Sequence, residues 1–211
     1  MDPDELRQTF RELGARVYTA LRDGGLEAGL LVELACLVED WTVSTPATRE
    51  LLERRTAELT VADVLRLGGA LLDEVNFVPT YALEPALFAE LEEDLKVVER
   101  DLRATGVTGT LRMVIPDWDS MGMAWVEFDG AFQGNGIPPG AGGVLNVADA
   151  AQEAIMEVIW RAWPVCPVHD RGLYTEAENE TAVWRCTADE GHTVAPIGEL
   201  SPLPRRRGRV R

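Results

Sequence analysis

The apolar residues of this chain keep one period as far as Gly106 and another beyond it, and that change limits the fold more than any other feature. Leu6, Phe10, Leu13, Val17 and Leu21 recur at intervals of three and four, as do Leu87, Leu91, Leu95, Val98 and Leu102. Such spacing lays one stripe along a helix. After Gly106, Leu111, Met113 and Ile115 alternate with other residues, and Ala124, Val126 and Phe128 do so again. A period of two lines one face of a strand. No internal repeat accompanies the change. The expected class is therefore α+β: an N-terminal helical bundle over 1–105, then a central β-hairpin, Gly/Pro-rich loop and helix over 106–164. A small C-terminal β element over 165–203 and a basic tail over 204–211 complete the chain.

Local signals place the helices. Asp2 is an N-cap, Pro3 suits the first helical position, Glu5 completes a capping box, and Gly24-Gly25 stops the helix. Residues 27–40 are apolar nearly all round, as in a helix surrounded by others, and Cys36 within them reads as a small core residue. Ser44 or Thr45 with Pro46 opens a third helix to about Glu58. Thr60 with Asp63 opens a fourth to about Glu74. Gly68-Gly69 inside the fourth costs on the order of 1 kcal/mol per glycine relative to alanine, which points to close helix packing there. Glu84-Pro85 begins a fifth helix.

The second half is read the same way. Asp119-Ser120-Met121-Gly122 joins the two alternating runs as a hairpin turn. Residues 130–143 hold six glycines and two prolines, so neither helix nor regular strand is expected there, only a mobile surface loop. A last helix runs from near Ala148 to Trp163, with Ile155, Val158, Ile159, Ala162 and Trp163 on one face and Pro164 closing it.

Both histidines and two of the three cysteines fall within 27 consecutive residues: Cys166, His169, Cys186 and His192. Cys166-Pro167-Val168-His169 suits a tight turn whose two side chains converge on one ion, Thr181 to Cys186 reads as a strand ending at a third ligand, and Gly191 permits the turn that returns His192. Two thiolates and two imidazoles suit Zn2+ in a closed tetrahedral set, a structural role that stabilises a fold and activates no water. A Cys166–Cys186 disulfide or another metal is the alternative. Residues 164–200 resemble a small zinc-ribbon or zinc-knuckle module. Their order Cys, His, Cys, His departs from fingers that pair Cys with Cys and His with His on a helix, which argues against groove reading of DNA.

Acidic residues outnumber basic ones 36 to 20, a net charge of −16, and five arginines crowd Arg205 to Arg211. Residues 1–204 therefore carry 36 acids against 15 bases, or −21. That balance opposes phosphate backbones and favours basic protein partners. Nothing approaches the roughly 18 apolar residues of a membrane span, and Met1 to Glu5 lacks the opening of a secretory signal, so a soluble cytoplasmic protein is expected. No Gly-x-Ser-x-Gly elbow, His-Glu-x-x-His helix or phosphate loop is found, and metal ligation uses both histidines.

The preferred reading is a non-catalytic acidic, zinc-containing adaptor, regulator or inhibitor. A metal-dependent hydrolase using Asp117, Asp119, Glu127 and Asp129 is the alternative, and nucleic-acid binding through the zinc module and arginine tail ranks last. Trp118, Trp125 and Phe132 lie among those carboxylates as a possible aromatic binding surface, weighed against core packing of the tryptophans.

Overall fold

The computed structural model describes residues 3–41, 44–188 and 191–202. The cap expected at Asp2 and the arginine tail lie outside the described residues. The chain is an α+β protein that divides into two compact units, Met1–Leu83 and Glu84–Arg211.

The first unit holds α1 (Pro3–Asp23), α2 (Ala28–Trp41), α3 (Pro46–Glu53) and α4 (Val61–Glu74). Leu13 and Val17 of the α1 stripe pack with Leu31, Leu34, Ala35 and Val38 of α2, Leu51 of α3, and Leu67 and Leu71 of α4. The capping signals act as read. Thr45 caps α3, and at α4 the Thr60 hydroxyl accepts from the Asp63 amide at 3.1 Å while the Asp63 carboxylate accepts from the Thr60 amide at 3.0 Å. Hydrogen bonding from the Arg54 guanidinium, and then from Thr60, holds the Asp63 carboxyl far below the usual carboxylate range. Gly68 sits where a Cβ would lie 2.6 Å from Leu26 Cδ2, so that glycine marks a close approach; its neighbour Gly69 faces open space.

Two readings of this unit are corrected. Cys36 is exposed. The buried face of α2 is set by Leu31, Leu34, Ala35 and Val38, and at about 100° per residue Cys36 is turned roughly 140–160° from Leu31 and Leu34. The third helix ends at Glu53 instead of Glu58, where Arg54 turns to extended backbone and a separate 3-10 turn, Thr56–Glu58, follows.

The second unit begins with α5 (Pro85–Ala104), a helix that its apolar stripe alone assigns to the N-terminal bundle. Its buried residues Leu91, Leu95, Val98 and Leu102 belong to a helix that packs against α6 (Val144–Ile159) and β1 (Leu111–Val114). β1 pairs antiparallel with β2 (Trp125–Phe128), aligning Leu111 with Phe128 and Val114 with Trp125. Ala124, Val126 and Phe128 are buried as the alternation requires, but Ile115 lies past the strand end and is exposed.

The glycine-rich segment is more regular than its composition implies. β3 (Ala131–Phe132) pairs with Glu127 and Phe128, and Ile137, itself buried, bridges to Ala124. Backbone pairing with β2 supplies the order that local propensity lacks. α6 also departs from expectation: it starts at Val144 and stops at Ile159, where Trp160 takes a left-handed conformation (φ 52°). Trp163 is buried beyond the helix, whereas Ala162 is exposed.

A second antiparallel sheet follows: β4 (Leu173–Glu178), β5 (Thr181–Cys186) and β6 (Thr193–Pro196), in that order. Beyond β6, Gly198 has φ 89°, and a Cβ there would lie 2.4 Å from Val97 Cγ1 and 3.1 Å from the Val97 carbonyl oxygen. Gly198→Ala combines a left-handed alanine with overpacking against α5. It should destabilise the protein by about 2–4 kcal/mol in urea unfolding. An unchanged midpoint would show that the turn relaxes freely. Among the described residues no helix is long and apolar enough to cross a membrane.

Candidate metal centre

The turn after Trp163 brings the first pair of donors together. The Cys166 amide donates to the Arg171 carbonyl at 2.7 Å, and the Asp170 amide donates to the Cys166 carbonyl at 3.0 Å, folding residues 166–171 into a tight loop. Val165 bridges to Gly172, and Leu173 of β4 donates to the Pro164 carbonyl at 2.9 Å, so the loop is clamped at its base. Cys166 and His169 thus share one turn, with Cys166 Sγ 3.8 Å from His169 Nδ1.

Strand pairing supplies the rest. Leu173 aligns with Cys186 across β4 and β5, which carries Cys186 to the base of that loop, and Cys186 Sγ lies 3.5 Å from His169 Nδ1. The Cys186 amide donates to the His192 carbonyl at 2.9 Å, and Gly191 (φ 35°) makes the turn ahead of it. His192 Nε2 arrives 3.7 Å from Cys166 Sγ, and the two imidazole rings stand 5.1 Å apart at 71°. The donor atoms of Cys166, His169 and His192 all lie within 4.8 Å of one another, and this group could hold a metal ion. Both thiols are buried, while His169 is exposed and His192 half-buried. The Ala188 amide donates to Cys186 Sγ at 3.4 Å, a polar contact to the sulfur of the kind that surrounds ligating thiolates.

Two polar residues that tie this region to the helices went unread in the sequence. Asp101 of α5 is fully buried; its carboxylate accepts from the Trp184 indole at 2.6 Å and from the Gly198 and Leu200 amides at 2.6 and 2.8 Å. Gln152 of α6 donates to the Trp163 and Leu173 carbonyls, one on each side of the Cys166 loop, at 2.8 and 2.7 Å. The signal was present. Asp101 stands three residues past Val98, and Gln152 four past Ala148, each on a helix face that is otherwise apolar.

The hairpin residues divide into two places. Near the start of β2, Asp119 accepts from the Trp125 indole at 2.7 Å and from the Met121 and Met123 amides at 2.8 and 3.3 Å. Burial raises the pKa of Asp119, but those three hydrogen bonds outweigh it and hold the carboxyl below its ordinary value. Beyond the far end of β2, Asp129 accepts from the Thr110 amide at 2.8 Å, and Glu127 stands opposite Arg112. Asp117 is exposed beside Trp118. The three aromatic residues do gather: the Trp118 ring is 4.9 Å from that of Trp125 and 5.9 Å from that of Phe132. Trp118 remains 60% exposed, so it is a surface residue and not a core one.

No protein-family model matches the chain, and comparison with curated proteins and with solved structures likewise gave no match.

Proposed function

We propose that Cys166, His169, Cys186 and His192 hold one structural Zn2+, and that the chain is a non-catalytic binding protein for a basic protein partner. The metal reading is supported by arithmetic. Tetrahedral zinc, with Zn–S about 2.3 Å and Zn–N about 2.0–2.1 Å, puts each sulfur about 3.5 Å from each nitrogen. Of the four sulfur–nitrogen separations, three are 3.8, 3.7 and 3.5 Å; Cys186 stands outside the group of donors that lie within 4.8 Å of one another, so it would have to move inward to complete the set. Two thiolates and two imidazoles fill the coordination of zinc, so such an ion braces the β4–β6 element and offers no position to a substrate.

The observation that carries the binding reading is the state of the charges. Arg16, Arg22, Arg54, Arg66, Lys96, Arg103 and Arg185 already pair with carboxylates of this chain. With 36 acids against 20 bases, the excess of carboxylates is left to set the outward field. A field of one sign speeds encounter with an oppositely charged surface and rejects polyanions.

Two measurements test the two halves. Elemental analysis of protein purified without added zinc should find about one equivalent; its absence removes the metal reading. Calorimetric titration with a basic decapeptide rich in arginine and lysine should give an affinity that falls about tenfold between 50 and 300 mM salt. Affinity that survives high salt, or no binding at low salt, removes the electrostatic partner.

A further inference from the structure

The surface around Trp118 carries more apolar area than folding requires. Trp118 is 60% exposed and Met121, three residues on in the same turn, 51%, while the interior of the first sheet is filled by Val126, Phe128 and Ile137. A large exposed ring that caps a cluster of aromatic residues marks an interaction site more often than a scattered apolar residue does. The turn beneath this patch is hydrogen-bonded throughout its length. Asp119 holds the turn by accepting from two of its amides and from the Trp125 indole, and its own amide donates to the Pro116 carbonyl at 3.0 Å. Trp125 and Phe132 then meet Trp118 at 64° and 84°, edge to face, so the Trp118 ring is supported before any ligand arrives. Preorganisation of this kind reduces what binding must spend on ordering.

We propose that Trp118, backed by Trp125 and Phe132 and flanked by Asp117, is a docking surface for an arginine side chain of the basic partner. The inference rests on the binding function proposed above and names the group that is recognised. Geometry and charge both select arginine. Ring centroids 4.9 and 5.9 Å apart leave no gap between the rings for a cation, so a ligand must lie on the outward part of Trp118. A planar guanidinium stacks flat on an indole, whereas a compact ammonium is best held when rings enclose it. Asp117, exposed and adjacent to Trp118 in the chain, is the carboxylate left to meet the guanidinium, since Asp119 already accepts three hydrogen bonds.

The test uses the full chain and an acetylated, amidated Gly-Arg-Gly-Arg-Gly peptide, with lysine and citrulline versions as probes, followed through tryptophan indole N–H resonances. Saturable shifts centred on Trp118 are expected. Trp118→Ala should weaken binding about fivefold, and Asp117→Asn about threefold with a shallower salt dependence. Citrulline should bind about tenfold more weakly than arginine, because it keeps the plane and loses the charge. Trp118→Ala loses its contacts with Trp125 and Phe132, so a modest fall in its urea midpoint is expected, and an unchanged far-ultraviolet circular dichroism spectrum confirms that each variant folds.

Arginine-peptide binding that is indifferent to Trp118→Ala overturns this site and leaves the basic-partner reading standing; failure to bind any cationic peptide overturns both. A lysine peptide as tight as the arginine one defeats guanidinium stacking. Binding that emerges only when Arg205, Arg206, Arg207, Arg209 and Arg211 are replaced by glutamine assigns the surface to the chain's own tail and overturns a partner as its occupant.

Discussion

If the proposed zinc is bound, Cys166→Ala should release it and unfold the β4–β6 element while leaving α1 to α4 folded. The module's own core is small: among the described residues between β4 and the turn after β6, the buried apolar side chains besides Cys186 are Leu173, Val183, Trp184 and Ile197, and the bonds to Asp101 and from Gln152 also tie it to the helices. In zinc peptides of this kind, metal binding contributes on the order of 10 kcal/mol, and that energy is the folding energy. Part of it is recovered here through contacts to α6, so the loss should register as the early melting of one element. Hydrogen exchange would read it directly. Amides of β4 and β5 should lose protection by at least 100-fold, equivalent to about 2.7 kcal/mol, with those of α2 and α4 unchanged. Chelation of the native protein should reproduce the pattern, and added zinc should reverse it.

Cys186→Ala distinguishes a fourth ligand from a neighbour: as a ligand it matches Cys166→Ala, and as a neighbour of His169 it keeps the metal. Cys36→Ser, on the exposed side of α2, should change neither zinc content nor stability. Native protection surviving both chelation and Cys166→Ala would remove the metal from any structural role.

The features legible in the sequence were those whose cause is local. Thr60 and Asp63 are three residues apart and cap α4 by contact with each other. Cys166 and His169 converge because one turn joins them. What the sequence hid depends on partners distant along the chain. Phe132 favours a strand, but the glycines around it and Ala131 break any run, and the two pair because Glu127 and Phe128 present a free edge. α5 has a stripe that any bundle would accept; only its packing against α6 and β1 places it with the second unit. His192 was legible as a ligand returned by the turn at Gly191; only the registers of β4, β5 and β6 that carry it to Cys166 were not. Trp118 illustrates the limit from the other side. Its size argued for burial, and its position on a hydrogen-bonded turn decided otherwise.

Asp101→Ala tests the other attachment of the second sheet, and the expected loss is about 3–5 kcal/mol. A buried carboxylate on a helix is unfavourable unless donors replace the water it gives up. Here three do so, at 2.6, 2.6 and 2.8 Å, the short lengths of charge-assisted bonds. Truncation to alanine leaves the Trp184 indole and the Gly198 and Leu200 amides without their acceptor. Each unsatisfied buried donor costs about 1–3 kcal/mol, less whatever water entering the vacated space restores. Asp101→Asn is the sharper variant because it preserves shape: one oxygen still accepts, but the new NH2 faces a donor. It should lose about 2–3 kcal/mol, against almost nothing if the carboxylate acted only as filler. Trp184 is fully buried against Trp163, with ring centroids 5.6 Å apart, so tryptophan emission should shift to the red in urea at a lower midpoint than in the native chain. Zinc separates the two mechanisms. Asp101 hydrogen-bonds to none of Cys166, His169, Cys186 and His192, so if the proposed zinc is bound both variants should keep it below their melting temperatures, whereas Cys166→Ala should not. If Asp101→Asn melts like the native chain, the three bonds contribute no net stability, and the sheet is held to α5 by apolar packing alone.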